Sequence, residues 1–386
     1  MLSTGKKKAV VGLDIETGSA AATEVAANGS VSVSRFGTIP LAAGVFRDGE
    51  VGDAGALGDA LKELFAKSKL SKNVRLGVAS QRIAVRMLRM PHIDDPKELE
   101  TAVRFQAQDH IPMPLDQAVM DWQVAAETTD ENGARFLEVV AVAVRRETVR
   151  GMLTALRQAG LRPVGVDLSA FGMIRALARD SHEAIGLGDY VDAPAQVGPD
   201  YEERVPDHLG GEGSAAATVA AETPAYLYCN FGDITNLAVA RGGTCLFTRI
   251  SPFGVEGIAQ KLAERRELQL DHSRQWLRHV GLEAPVEGID GDPEIVATAR
   301  EALAEGAGRL VDELRLSLEY YAAQEDSVPL DRVVACGPGT TIPGLIERLQ
   351  RDLRQRFVIG KPKALAHLDE ETAARLAVSF GLGLEE

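Results

Sequence analysis

Cysteine is scarce in this 386-residue chain. Cys229, Cys245 and Cys336 stand far apart, with no CxxC pair and no Cys/His spacing suited to a metal. That excludes a disulfide framework and leaves three reduced, buried thiols as the expectation. An excess of basic charge is missing as well. Lys and Arg number 42 against 56 Asp and Glu, a net charge of -14, which argues against nucleic acid as a main partner. No stretch approaches the roughly 18 apolar residues of a membrane span. The apolar run after Lys6, Lys7 and Lys8 is too short for a signal peptide. The expectation is a cytoplasmic protein that meets a membrane only through partners.

What is present is an ordinary globular composition, 45% hydrophobic and 25% charged, with length enough for two or more domains. An internal similarity organises it. AVVGLDI (9–15), a strand near 21–27, the turn Asn28-Gly29 and SVSVSRFG (30–37) make one unit. AYLYCNF (225–231), ITNLAVA (234–240), the turn Gly242-Gly243 and TCLFTRI (244–250) make another. Asn-Gly and Gly-Gly suit two-residue hairpins, whose central residues need positive φ. The repeat predicts two related α/β domains facing one cleft.

Apolar spacing predicts helices over 55–69, 147–159, 169–179, 254–268, 293–325 and 369–383. Another starts at Asp95-Pro96, with Asp as N-cap and Pro at the first helical position. Leu99, Val103 and Phe105 to Gln106 are expected on its apolar side, and IPMP (111–114) ends it. Strands are expected over 74–80, 83–91, 118–124, 136–144, 164–168 and 332–337. Residues 181–223 hold nine acids against Arg204 alone, amid Pro, Gly and Ala; this composition reads as a flexible acidic linker.

Three polar turns follow strand ends: Asp14 to Ser19, Asn230 to Asn236, and Gly337 to Thr341. The last, GPGTTIPGLIERLQ (337–350), reads as a glycine turn opening a helix. Backbone N–H groups at such bends bind phosphate oxygens. Two acid-bearing strand ends across a cleft would hold Mg²⁺ and orient water for phosphate hydrolysis. The candidate nucleotide-binding residues are Gly12, Asp14, Thr17, Gly18 and Ser19 in the first turn. Asn230, Gly232, Asp233, Thr235 and Asn236 supply the second, Gly337, Pro338 and Gly339 the third, and Gly254 and Lys261 the helix after the second hairpin. Asp14, Asn230 and Asp233 stand at the Mg²⁺ and water positions, with Asp14 the candidate metal ligand.

The order of these turns matches the phosphate-1, phosphate-2 and adenosine segments of the actin/Hsp70/sugar-kinase ATPase fold. MLRMPHIDDPKELETAVRFQAQDHIPMPLDQAVMDWQV (87–124), LRLSLEYYAAQ (314–324) and VVACGPGTTIPGL (333–345) sharpen the match. On these residues the chain resembles the PilM family of type IV pilus assembly proteins, actin-like and close to the cell-division protein FtsA. The resemblance covers nearly everything but the linker.

It implies an α/β actin-like ATPase fold of duplicated RNase H-like domains. The first core subdomain would be 1–73 with 166–180, an FtsA-type insert 74–165, the linker 181–223, and the second half with its helical subdomain 224–386. It also implies ATP and Mg²⁺ between the halves, and a place at the inner face of the cytoplasmic membrane. There the protein would bind the N-terminal tail of PilN and contact pilus platform and motor proteins, with self-association possible. The tail would lie between the first core subdomain and the insert, with Phe105, Ile111, Pro112 and Met113 as candidate wall residues.

The chain departs from the family where phosphates would lie. The family's first loop reads like DIGSSxxK; here Glu16 replaces the Gly and Ala21 the Lys. In the second loop Asp-Ile-Gly becomes Asn230-Phe231-Gly232. A carboxylate in the bend repels a triphosphate by about 1 kcal/mol or more, and Asn can neither bind metal as an anion nor act as a base. The expectation is a scaffold that retains nucleotide at most weakly. An active ATPase of the same assembly is the alternative, then a type II secretion platform protein, an FtsA-like filament protein or a small-molecule kinase. The end FGLGLEE lacks the basic amphipathic helix of an FtsA-type membrane anchor.

Overall fold

Each apolar hairpin seeds one sheet. In a computed structural model, residues 9–27, 31–178, 185–186, 224–324 and 327–384 are described. The turn at Asn28-Gly29, nearly all of the acidic segment 181–223 and the final two residues lie outside the described residues.

Strand β1 (Val10–Ile15) pairs antiparallel with β2 (Ser19–Ala27), and β2 with β3 (Val31–Pro40). A short hairpin, β4 (Phe46–Arg47) and β5 (Glu50–Val51), precedes helix α1 (Ala54–Lys67), which Asp53 caps through the amide of Ala56. Strand β6 (Asn73–Val78) then runs parallel to β1. Next come β7 (Ile83–Pro91), α2 (Pro96–His110), β8 (Ala118–Thr129) and β9 (Arg135–Arg145). These three strands form their own sheet in the order β7-β9-β8. Helix α3 (Arg146–Gln158) and strand β10 (Arg162–Leu168) return to the first sheet, ordered β10-β6-β1-β2-β3. Helix α4 (Ser169–Ala178) and the short β11 (Ile185–Gly186) lead toward the second half.

The second half repeats the pattern with β12 (Ala225–Phe231), β13 (Thr235–Arg241) and β14 (Thr244–Ser251). Helices α5 (Val255–Arg266), α6 (Leu270–Val280) and α7 (Pro293–Ala322) follow. Then come β15 (Leu330–Cys336), α8 (Leu345–Leu353), β16 (Phe357–Ile359) and α9 (Glu370–Gly383). Its sheet is ordered β11-β16-β15-β12-β13-β14. In both sheets an antiparallel meander of three strands is extended by two parallel strands on the side of its first strand. The expected duplication is therefore present over five strands of each sheet, with β11 an addition at the edge of the second.

Helices α4 and α9 pack between the two sheets. Met173, Ile174 and Leu177 of α4 and Leu376, Ala377 and Phe380 of α9 share one buried cluster with Tyr228, Val334 and Ala21. Both faces of β12 are covered, one by this layer and the other by α5 and α7. That double burial explains why AYLYCNF is apolar without alternation.

Three expectations need correction. The expected insert, 74–165, is wider than the separate unit: β6 and β10 at its ends pair in parallel with each other in the first sheet, and α3 packs on α1. The independent part is 83–145, with its own core of Leu88, Val103, Val139 and Ala141. The final helix, assigned to the second half, packs against β1 and β2 of the first as well as against the second sheet; Gly12 allows the close approach, since a Cβ there would stand 2.0 Å from Ser379 O. The glycine turn at 337 opens a short 3-10 turn over Pro338–Thr341, and α8 starts only at Leu345.

Candidate functional site: a closed cleft and an open groove

The three polar turns converge between the sheets. Asp14, the penultimate residue of β1, is buried and accepts a hydrogen bond from Ser169 Oγ at 2.8 Å, at the start of α4. Glu16 lies in the bend that follows, its own amide donating to Ser19 O. Its carboxylate reaches across to the second half: Oε1 accepts from Asn230 Nδ2 at 3.0 Å and Oε2 from the backbone N–H of Asp233 at 3.0 Å. Asp233 returns the contact, its Oδ2 accepting from the backbone N–H of Gly18. Cys336 donates weakly to Asn230 Oδ1 at 3.8 Å, which turns the amide of Asn230 toward Glu16.

The glycines of these turns are required by close packing. A Cβ on Gly232 would meet Glu16 Oε1 at 2.2 Å, and one on Gly339 would meet Phe231 Cβ at 2.6 Å. Gly337 has φ +86°, and a Cβ there would stand 2.1 Å from Asn230 Oδ1. Gly254 closes on the carbonyl of Gly232. The third turn thus rests directly on the strand end that carries the second.

Three carboxyls share this enclosure, and burial dominates their ionisation. Asp14 is pushed up from 3.8 to about 6, chiefly by burial, with the Ser169 hydrogen bond opposing. Glu16 rises from 4.5 to about 7 through burial and the charge of Asp14, against the hydrogen bonds from Asp233 and Asn230 and the charge of Arg375. Asp233 is raised well above the usual range by burial and by Glu16 and Glu256. Glu256 is itself paired with Arg274, beside Gly18.

The remaining space is small. A cavity of about 10 Å³ is lined by Asp14, Glu16, Ser19, Asn230, Pro338 and Arg375, among others. A second of about 30 Å³ lies between Asp233, Glu256, Arg274 and Pro338. The first has room for about one water and neither for a nucleotide. Among the described residues no group of three His, Cys, Asp or Glu is arranged to hold a metal ion. The triphosphate and its Mg²⁺ therefore do not fit these residues as they stand.

Other candidates lie elsewhere. Thr235 Oγ1 donates to Phe253 O at 2.8 Å. Asn236 lines a separate cavity of about 20 Å³ with Ser80 and Arg249. Its Oδ1 is buried without a hydrogen-bond partner. Lys261 pairs with Glu305 on α7. Thr17 lines neither cleft cavity. Arg375 and Ser169, which complete the cleft, are distant in sequence and carry no local motif that could have singled them out.

A larger recess opens on the other side of α4. About 570 Å³ is enclosed by Trp122 and Val124 of β8, Val142 of β9, Val166 of β10, and Phe171 and Ile174 of α4. Arg75, Asp121, Gln123, Asp167 and Arg175 supply polar side chains, and Gly243 and Thr244 at the β13–β14 turn join the lining. Both β8 and β10 are edge strands of their sheets. The four residues expected to wall a groove do not line this one. Ile111 is buried in the core of the insert, Met113 packs against that core, Pro112 is exposed, and Phe105 is 71% exposed on α2. The buried face of α2 is Leu99, Val103 and Ala107, spaced by four, which turns Phe105 away from it.

Residues 12–185 match the sequence family described as type IV pilus assembly protein PilM. Over this stretch the chain is similar to the PilM family. The solved PilM-PilN type IV pilus biogenesis complex includes a chain 24% identical to this one, covering 97% of each, with a TM-score of 0.69. The ethanolamine utilization protein EutJ from Carboxydothermus hydrogenoformans is 13% identical over 98% of this chain and 89% of its own, TM-score 0.48. MreB5 of Spiroplasma citri bound to ADP is 11% identical over 98% and 95%, TM-score 0.48. The chain has the actin-like ATPase fold, as the order of its polar turns implied.

Proposed function

We propose that this protein is a scaffold of the type IV pilus inner-membrane platform that holds the N-terminal tail of PilN on its cytoplasmic face. The observation that carries the reading is the groove of about 570 Å³ between two edge strands. An extended segment laid beside β8 or β10 would complete a ladder through its backbone, while Trp122, Val124, Val166 and Phe171 offer apolar contacts for alternate side chains. Among the described residues no helix is long and apolar enough to cross a membrane, so a membrane-borne partner would supply the attachment. Turnover of ATP is not part of the proposed role, because the residues at the phosphate turns leave no room for it.

The test is a titration of the full chain with a peptide of the PilN N-terminal tail, followed by calorimetry and by tryptophan fluorescence. Only two tryptophans are present, and Trp122 lines the groove, so its emission should shift as the tail binds. Absence of both heat and spectral change at high micromolar peptide would sink the reading.

A further inference from the structure

Glu16 does at its bend what a phosphate would do there. In a phosphate loop, backbone N–H groups left over at a tight turn find their acceptors on the ligand. Here the N–H of Asp233 finds its acceptor on Glu16 Oε2, and the amide of Asn230 on Oε1. If the Glu16 carboxylate acted only by repulsion, nothing would hold it in the cleft; it would turn to water. Instead it is aimed at two donors of the opposite half, 214 and 217 residues away in sequence. Asp233 is bound in turn by the N–H of Gly18, 215 residues away. Each turn's acid is thus held by an N–H group of the other turn.

We infer that the Glu16 carboxylate is a built-in occupant of the terminal-phosphate position, and that with Asp233 it clasps the two halves shut in place of a nucleotide. The inference rests on the reading of these turns as phosphate loops and is independent of the groove. It accounts for the cavity of about 10 Å³ that remains beside Glu16, and for Gly232, where a Cβ would collide with the Glu16 carboxylate. It also gives Asn230 a role that Asp in its place could not fill, since a carboxylate there has no proton to donate to Glu16.

The test uses the full chain and two substitutions. Glu16→Ala vacates the position, whereas Glu16→Gln keeps it filled but neutral. Calorimetry with ATP–Mg²⁺, and separately with pyrophosphate, should show at least a tenfold gain in affinity for Glu16→Ala over both wild type and Glu16→Gln. Equal gains for the two variants would mean that Glu16 acts by charge alone and would overturn the clasp, as would no gain for either. Hydrogen exchange on the unaltered protein needs no variant. The amides of Gly18 and Asp233 should exchange slowly without nucleotide, and saturating ATP–Mg²⁺ should leave them unchanged. Fast exchange at both in the absence of ligand would overturn the inference. Binding of the PilN peptide serves as the separate control, because its loss or retention bears on the groove and not on the clasp.

Discussion

The cleft and the groove flank the same helix, yet one is shut and the other open. Ser169, the first residue of α4, binds Asp14 in the cleft, while Phe171, Ile174 and Arg175 further along line the groove. What differs is whether the lining satisfies itself. In the cleft the acceptors Glu16 and Asp233 meet N–H donors across the gap, so the walls close on each other. In the groove two sheet edges face a recess, and among the described residues neither has a neighbouring strand on its outer side. Unpaired edges call for a partner, and a self-satisfied cleft does not. The comparison teaches that a recess closes where its lining carries its own donors and acceptors, and stays open where two sheet edges border it.

The largest effect expected from breaking this contrast is in the pH dependence of stability. Asp14, from 3.8 to about 6, and Glu16, from 4.5 to about 7, hold protons in the folded state that the unfolded chain has already released. Unfolding between about pH 4 and 7 therefore releases protons, and stability falls as pH rises through that window, levelling above it. Glu16 alone should contribute about 3 kcal/mol of this fall. The charge of Asp14 raises Glu16 and that of Arg375 on α9 opposes it, while Glu16 in turn raises Asp233. Urea unfolding at pH 5 and pH 8 should show the drop in wild type and its shrinkage in Glu16→Gln. A flat profile in wild type would mean that the acids are not enclosed together.

The groove side is broken by Trp122→Ala. A half-buried tryptophan in the lining of a recess is the kind of residue that carries about 2 kcal/mol of peptide binding, or roughly thirtyfold in affinity. The pH profile of stability should stay as in wild type, because Trp122 touches none of the three acids. Unchanged peptide affinity would move the docking surface elsewhere.

Ser169→Ala addresses the helix shared by the two recesses. Loss of the hydrogen bond to Asp14 should cost about 1–2 kcal/mol at pH 8, where the carboxylate is charged, and should move the Asp14 part of the pH window upward, since that hydrogen bond lowers its pKa. If the recesses are independent, peptide affinity holds within about twofold. A tenfold loss would show that α4 couples them.

Much of the frame was legible in the sequence because local chemistry dictates it. The strands at 225–231 and 83–91 fall where the apolar runs place them, and Asp95 caps α2 through the amides of Lys97 and Glu98. The place of α9 was not legible: its apolar residues face both sheets, and the close approaches permitted by Gly12 of β1 and by Gly381 against Gly172 of α4 are made only in the folded chain. Glu16 was visible as an anomaly, but its partners across the cleft were not. The N–H of Asp233 that stands opposite it is 217 residues away, and no local pattern announces it.

The smallest effect expected is at Phe105, and it sharpens the comparison because the sequence placed this residue in a groove wall. On α2 it is the most exposed large apolar side chain among the described residues, at 71%. Phe105→Ser should change stability by no more than about 0.5 kcal/mol, as for an ordinary surface position. It should also leave affinity for the PilN peptide unaltered, since the side chain does not line the recess between β8 and β10. If instead the substitution weakens the peptide as strongly as Trp122→Ala, the tail crosses the outer face of α2. The open groove would then be only part of its path.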